Sequence, residues 1–302
     1  MNSFSPPLVS IIIPTYNHAH FLPTALNSLI SQTFINWEAF VINNFSADDT
    51  ISIVKSFKDP RIKLYNFANN GIIAKARNYG LLLSTAPFIA FLDSDDYWYP
   101  TKLAICLKKL ELDYDLVCHG EVWCGPRKIR RKVYYGPVNR ATYQSLLFDG
   151  NCISTSAVVV SHDWLRKVKG FSEQKEFVTA EDYDLWLKLA RSGARIGFVN
   201  ELLGEYLIHE NNQSRVALRN MQATMKVFEH HYYALEDPPS AKRLQKREAL
   251  ILYSGGRSLQ SSGQCWNAWP YLFKAINCYP WELRFYIAII LNLIGCFRFG
   301  VN

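Results

Sequence analysis

Ala86-Pro87-Phe88-Ile89-Ala90-Phe91-Leu92-Asp93-Ser94-Asp95-Asp96 is an apolar run of strand length that ends in three carboxylates within four residues. In an open α/β sheet, ligands bind outside the carboxyl ends of the strands. Carboxylates packed this tightly repel one another unless a cation or hydrogen-bond donors compensate. A hard divalent cation, Mg²⁺ or Mn²⁺, held by Asp93 and Asp95 and completed by substrate phosphates, meets that need. A capped turn is the other reading, because Asp and Ser are common where a strand hands over to a helix.

The residues before this stretch alternate between two periods. Leu8 to Ile13 reads as a strand, apolar on both faces and stopped by Pro14. Phe21 to Ile30 has helical spacing, Trp37 to Ile42 is a second strand, and Ser46 reads as the N-cap of a helix with Asp49 in its first turn. Arg61 to Tyr65 is a third strand, Ile72 to Leu83 a helix, and Phe88 to Leu92 the fourth strand. Such alternation predicts βαβ units with right-handed crossovers and helices on both faces, a Rossmann-like half-sheet.

After Pro100 the pattern loosens. A helix from Thr101 to Leu112 leads to a strand from Asp115 to Cys118, and residues 120–140, rich in Gly, Pro and Arg, read as a loop or hairpin. Ser156 to Val160 is a strand, Glu181 to Ser192 a helix closed by Gly193, and Arg195 to Val199 and Leu202 to Ile208 are two short strands. Beyond Arg215 the spacing is helical: Ala217–Tyr233, Ala241–Ser261, Gln264–Cys278 and Trp281–Phe297. The expected division is an α/β domain over 1–212 and a helical C-terminal region over 213–302.

Composition narrows the partners. Lys and Arg number 33 against 26 Asp and Glu, a net charge of +7. That modest excess suits an anionic small substrate or an anionic membrane surface; no nucleic-acid-binding signature accompanies it. The seven Cys include no C-x-x-C pair, which points to reduced thiols and a cytoplasmic protein. No basic and apolar leader opens the chain. Phe285 to Phe297, the most apolar segment, is shorter than the ~20 residues of a spanning helix and reads as buried or interfacial.

Four segments in order resemble the inverting GT-A glycosyltransferases of family 2. They are Val9-Ser10-Ile11-Ile12-Ile13-Pro14-Thr15-Tyr16-Asn17, Asn70-Gly71-Ile72-Ile73-Ala74-Lys75-Ala76-Arg77-Asn78, Phe91 to Asp96, and Ala180-Glu181-Asp182-Tyr183-Asp184-Leu185-Trp186-Leu187. The resemblance covers roughly residues 8–210 and implies a GT-A fold, a mixed Rossmann-like sheet flanked by helices. It implies transfer of a sugar from a nucleotide diphosphate donor to an acceptor hydroxyl, with Mn²⁺ or Mg²⁺, in surface polysaccharide or glycolipid assembly.

Residue by residue, the resemblance makes Asp93-Ser94-Asp95 the DxD element. Its metal ligands would be Asp93 and Asp95, with His209, in Tyr206-Leu207-Ile208-His209-Glu210-Asn211-Asn212-Gln213-Ser214, as a further one. Asp96 orients the loop, touches the sugar or caps the next helix. Asp182 is implied as general base at a helix start, where the helix dipole favours its ionised form, and Glu181 as holder of that loop or binder of the acceptor. Pro14, Thr15, Tyr16 and Asn17 would contact the nucleotide, and Arg77 the diphosphate or base. As ordinary structure, the same residues are helix caps, a surface Arg and a lone structural His.

One departure stands out. The family usually has Asp-Asp-Gly-Ser after the second strand, where this chain has Asn43-Asn44-Phe45-Ser46. An Asn carbonyl accepts the same hydrogen bond as a carboxylate but without charge, and Phe45 lacks the backbone freedom of Gly. Weaker uridine selection, a base other than uracil, or at the extreme loss of donor binding is the expectation. The basic run Pro126 to Lys132 reads as a solvated face or as a contact for an anionic, lipid-linked acceptor, with Trp281, Phe285, Tyr286 and Phe297 docking peripherally at the inner face of the membrane. Two other classes remain: a non-catalytic nucleotide-sugar or glycan-binding module of this fold, and a sugar-phosphate nucleotidyltransferase, which needs a Gly-rich basic loop that Pro14 to His20 does not offer.

Overall fold

A computed structural model describes residues 6–125, 130–209 and 216–299. The 126–129 part of the basic run, the 210–214 part of the segment after His209 and the side chain of Phe297 lie outside the described residues. The chain divides into two units. One comprises Met1–Leu146, Asn151–Glu173 and Asp184–His209; the other comprises Leu147–Gly150, Gln174–Tyr183 and Glu210–Asn302.

The first unit is built on a nine-stranded mixed sheet. Its strands are β1 (Val9–Thr15), β2 (Trp37–Asn43), β3 (Ile62–Asn66), β4 (Phe88–Phe91), β5 (Tyr97–Trp98), β6 (Leu116–Cys124), β7 (Arg130–Val133), β8 (Val158–Ser161) and β9 (Ile196–Leu207). The spatial order is β3-β2-β1-β4-β8-β6-β9-β5, with β7 on β6. β1, β2, β3 and β4 are mutually parallel, the expected half-sheet. Beyond β4 the sheet turns mixed: β8 is antiparallel to both β4 and β6, and β9 is parallel to β6.

β1 and β2 are buried along their whole length, as continuous apolar runs require of central parallel strands. Pro14 does not stop β1, which pairs with β2 through Thr15↔Asn43. The pairing with β4 covers only Val9 to Ile12, so the N–H that Pro14 lacks falls past the last rung on that side. The helices α1 (Leu22–Ile30), α2 (Thr50–Ser56), α3 (Ile73–Leu83) and α4 (Lys102–Leu110) alternate with these strands. α3 lies so close to β1 that a Cβ on Gly80 would stand 2.6 Å from Ile12 Cγ2. α2 starts later than expected: Asp49 is its N-cap position, and Ser46 belongs to the preceding loop.

The two short strands expected from Arg195 to Ile208 are one strand, β9, whose exposed Asn200 and Glu201 interrupt the apolar pattern where its register with β6 slips. The helices α5 (Tyr143–Asp149), α6 (His162–Lys167) and α7 (Glu181–Arg191) occupy the middle of the chain, and the first three residues of α7 fall in the second unit. That unit holds α8 (Ala217–Tyr233), α9 (Ala241–Ser261), α10 (Cys265–Cys278) and α11 (Leu283–Phe299). Ala217, Leu259, Ala268, Leu272 and Ala288 form one of its cores; Ala249, Ala275 and Phe285 form another. Among the described residues no helix is long and apolar enough to cross a membrane.

Candidate active site

The carboxyl ends of β1, β2 and β4 carry the first unit's polar cluster. After β4 the chain turns tightly, with Asp96 N–H donating to Asp93 O at 3.0 Å. Asp93 Oδ1 accepts from Arg77 Nη2 at 2.8 Å, and its amide donates to Ser156 Oγ at 3.1 Å. Ser94 Oγ meets His18 Nδ1 at 2.8 Å. Asp95 Oδ2 meets His209 Nε2 at 2.8 Å, and the His209 ring lies 4.6 Å from Phe21 and 6.0 Å from His18 between centroids. Segments nearly two hundred residues apart thus converge on Asp93-Ser94-Asp95.

Arg77 is buried rather than reaching outward: its side chain is 3% exposed against 28% for Asp93. Two carboxylates and a His at this turn leave excess negative charge. Burial, then the Asp93 charge, raises the pKa of Asp95, and only in part does the His209 hydrogen bond draw it down. Burial lowers the pKa of His18, so its neutral ring is favoured. Asp95 Oδ2 and His209 Nε2, 2.8 Å apart, are an oxygen and a nitrogen of types that Mn²⁺ can take as ligands. Among the described residues no set of three or more His, Cys, Asp and Glu side chains forms a cage for a metal ion. A cation at Asp95 and His209 would need phosphate oxygens from a ligand to complete its shell, and its charge would offset the burial and the Asp93 repulsion that raise the Asp95 pKa.

Asp96 does not cap α4, which starts at Lys102 after Thr101. Its Oδ1 accepts from Leu207 N at 3.1 Å, tying the turn to the end of β9. Burial and the neighbouring carboxylates Asp95, Asp93 and Glu121 raise its pKa well above the ordinary range. Glu121, on β6, is buried too, and burial pushes its pKa up to about 7 although Tyr135 Oη donates to it at 2.6 Å.

The loops after β1 and β2 are bracketed to each other. Asn17 N donates to Ser46 Oγ at 2.8 Å, and Asn17 Oδ1 accepts from Ala47 N at 2.8 Å. Asn43 is fully buried; its Oδ1 accepts from Ser46 N and Oγ, and its Nδ2 donates to Asn66 Oδ1 at 2.8 Å. Asn44 Oδ1 accepts from Asn69 N at 3.0 Å. Both amide oxygens that stand where the family carries carboxylates thus have partners in the chain. Phe45 adopts φ 53°, the left-handed conformation that Gly adopts without strain, and Asn17 has the same φ. Pro14 and Thr15 end β1, and Tyr16 is exposed beyond them. Thr15 Oγ1 is buried and has no hydrogen-bond partner among the described residues.

In the second unit, Glu181 opens the eleven-residue α7 and is buried. Its Oε2 accepts from Thr179 N at 2.8 Å. Asp182 is half-buried, and its Oδ1 accepts from Tyr183 N at 2.7 Å. Tyr183 Oη donates to Leu147 O and accepts from the buried Arg247 Nη2 at 3.1 Å.

Residues 10–168, more than half of the chain, match the sequence profile of the family described as glycosyl transferase family 2. The chain belongs to that family. It is 33% identical over 207 residues to the UDP-Glc:alpha-D-GlcNAc-diphosphoundecaprenol beta-1,3-glucosyltransferase WfgD of Escherichia coli, covering 64% of this chain and 75% of that one. The chondroitin synthase of Pasteurella multocida is 28% identical over 246 residues, and there the match spans 79% of this chain but only 24% of the relative. Among solved structures, S. aureus TarS 1-349 with UDP-GlcNAc superposes with a TM-score of 0.66 at 18% identity, covering 97% of this chain and 92% of that one. The mannosyltransferase PcManGT of Pyrobaculum calidifontis, with GDP-Man and Mn²⁺, gives 0.63 at 20% identity, covering 97% and 81%. These likenesses give the fold: it is GT-A.

Within this family 2 glycosyltransferase, His18, Ser156 and Glu121 were not singled out from the sequence as site residues, and Ser46 was assigned to a helix cap. His18 had a signal, since His18-Ala19-His20 follows the nucleotide-loop segment directly. Ser156 and Glu121 had none: Ser156 is buried in a short turn before β8, and Glu121 is buried by the pairing of β6 with β9.

Proposed function

We propose that this protein is a metal-dependent, inverting glycosyltransferase that moves a sugar from a nucleotide diphosphate to a hydroxyl of a glycan or lipid-linked sugar, from the cytoplasm, in surface polysaccharide or glycolipid assembly. The observation that carries the reading is the pairing of Asp95 with His209 beside Asp93 at the carboxyl end of β4. Residues 1–212 are the proposed catalytic domain and 213–302 a helical region. Mn²⁺ or Mg²⁺, held by Asp95 and His209 and completed by donor phosphate oxygens, would supply a Lewis acid for the departing diphosphate.

Arg77 holds Asp93 in place, so its contribution to donor binding runs through that carboxylate. The buried hydroxyl of Thr15, with no hydrogen-bond partner among the described residues, is available to the nucleotide, and exposed Tyr16 can cover it. Since Asn43 and Asn44 use their amide oxygens within the chain, base selection rests more on Thr15 and on backbone groups, which favours a base other than uracil or a looser choice. Asp182, at the start of α7, takes the proton of the acceptor hydroxyl as its oxygen bonds to the anomeric carbon, and the diphosphate leaves with the electron pair of the broken C–O bond. WfgD's name supports a lipid-linked diphosphate sugar as acceptor class.

Release of nucleoside diphosphate from a panel of sugar nucleotides, with Mn²⁺ and with chelator, tests this. Turnover is expected with Mn²⁺, lost in Asp95→Ala and in Asp182→Asn, with donor binding retained in the latter. Full turnover by Asp182→Asn would remove the base assignment, and metal-dependent binding without any turnover would favour the binding-module reading.

A further inference from the structure

The last helix presents an apolar face to solvent. On α11, Leu283, Tyr286, Ile287, Ile290, Leu291, Leu293 and Ile294 are each between 42% and 72% exposed. At 100° per residue they sweep an arc of roughly 160°. The opposite face is the packed one: Phe285, Ala288 and Asn292 are buried, and Asn292 Nδ2 donates to Cys265 O at 2.9 Å. Phe285, expected from the sequence to dock, is thus core. A helix apolar all round is ordinarily buried all round, and a contiguous exposed apolar patch marks an interaction surface.

We propose that this face lies in the interfacial layer of an anionic membrane, with α11 parallel to the surface. Three observations favour lipid over a second copy of the chain. Residues 216–299 contain ten Lys and Arg against five Asp and Glu, most of the chain's excess positive charge. Trp281, 80% exposed, and Tyr286 stand at the start of the face, and Arg284 beside them is exposed; aromatic rings and cations of this kind sit at the headgroup level. Protein interfaces carry about one hydrogen bond per 100–200 Å², whereas the stripe's single polar side chain, Tyr286, already donates its hydroxyl to Pro280 O at 3.0 Å. Seventeen residues span about 25 Å along the axis, enough to lie on a bilayer.

Flotation of the full chain with vesicles tests this without donor or turnover, so its failure leaves the transferase reading untouched. Binding is expected to vesicles containing phosphatidylglycerol, weaker to phosphatidylcholine alone, and weaker in high salt. Ile287→Glu/Ile290→Glu/Leu291→Glu, all at exposed positions, is expected to reduce it by at least roughly ten-fold with an unchanged melting temperature. Absence of wild-type binding to either vesicle, equal binding to both, or full binding by the variant would overturn the proposal. Self-association lost in the same variant, without vesicle binding, would assign the face to a second copy instead.

Discussion

Lys102 gives a prediction whose size follows from the structure. Its side chain opens α4 fully buried, with Nζ donating to Val158 O at 3.1 Å and standing 3.4 Å from the centroid of the Trp98 ring. Burial pushes its pKa down to about 7, and the weak pull of Cys106, Cys118 and Glu121 does not offset it. An unfolded Lys titrates near ~10.4. Between these values the unfolded chain binds a proton that the folded chain does not, so this group makes stability rise with pH, by about 1.4 kcal/mol per unit. From pH 7.5 to 9.5 its share is about 3 kcal/mol. Lys102→Met keeps the aliphatic stem and removes the titration, while the hydrogen bond it gives up costs about 1 kcal/mol at either pH. Urea unfolding of both proteins at the two pH values gives the double difference, in which other titrating groups cancel. The variant's stability relative to wild type is expected to fall by about 3 kcal/mol as the pH rises. A difference that stays constant within about 1 kcal/mol, or one of opposite sign, would show that Lys102 does not titrate with a lowered pKa in the folded chain.

Further outcomes follow from the site. Arg77→Met leaves Asp93 without its cation; because Asp93 is partly hydrated, the cost in urea unfolding is expected near 2 kcal/mol, below that of a fully buried pair. A cost near zero would mean that water replaces the guanidinium. Phe45→Gly removes a left-handed L-residue whose side chain is 62% exposed, so a gain of about 1 kcal/mol is expected in the same assay, and a loss would place the ring in a contact that matters. Asp95→Asn is expected to abolish any Mn²⁺-dependent rise in melting temperature with donor; a rise equal to that of wild type would put the cation elsewhere.

The half-sheet was legible because β1, β2 and β4 read as largely apolar runs and are buried on both faces, and α1 keeps one apolar stripe. The second half was less so. β6 reads as four residues in the sequence but extends to Cys124, since His119, Gly120 and Glu121 look like a loop and yet lie inside the sheet. Polar residues there are held by pairings with β9 that no local pattern encodes. In the site, the motif residues were legible one by one, whereas their partners were not. His18 with Ser94, Arg77 with Asp93 and Asn17 with Ser46 join segments that only the crossovers bring together. Ser46 shows the reverse error: a good N-cap residue by local rules is recruited by Asn43 and Asn17 instead.

Metal-dependent donor binding is tested by a thermal-shift measurement of the wild-type chain with UDP-, GDP-, dTDP- and CDP-sugars, each with and without Mn²⁺. A ligand that binds the folded state raises the melting temperature by mass action. A shift is expected with one class of donor that requires the metal and disappears in Asp95→Ala. A donor shift that is the same with and without Mn²⁺, or that survives in Asp95→Ala, would contradict that expectation.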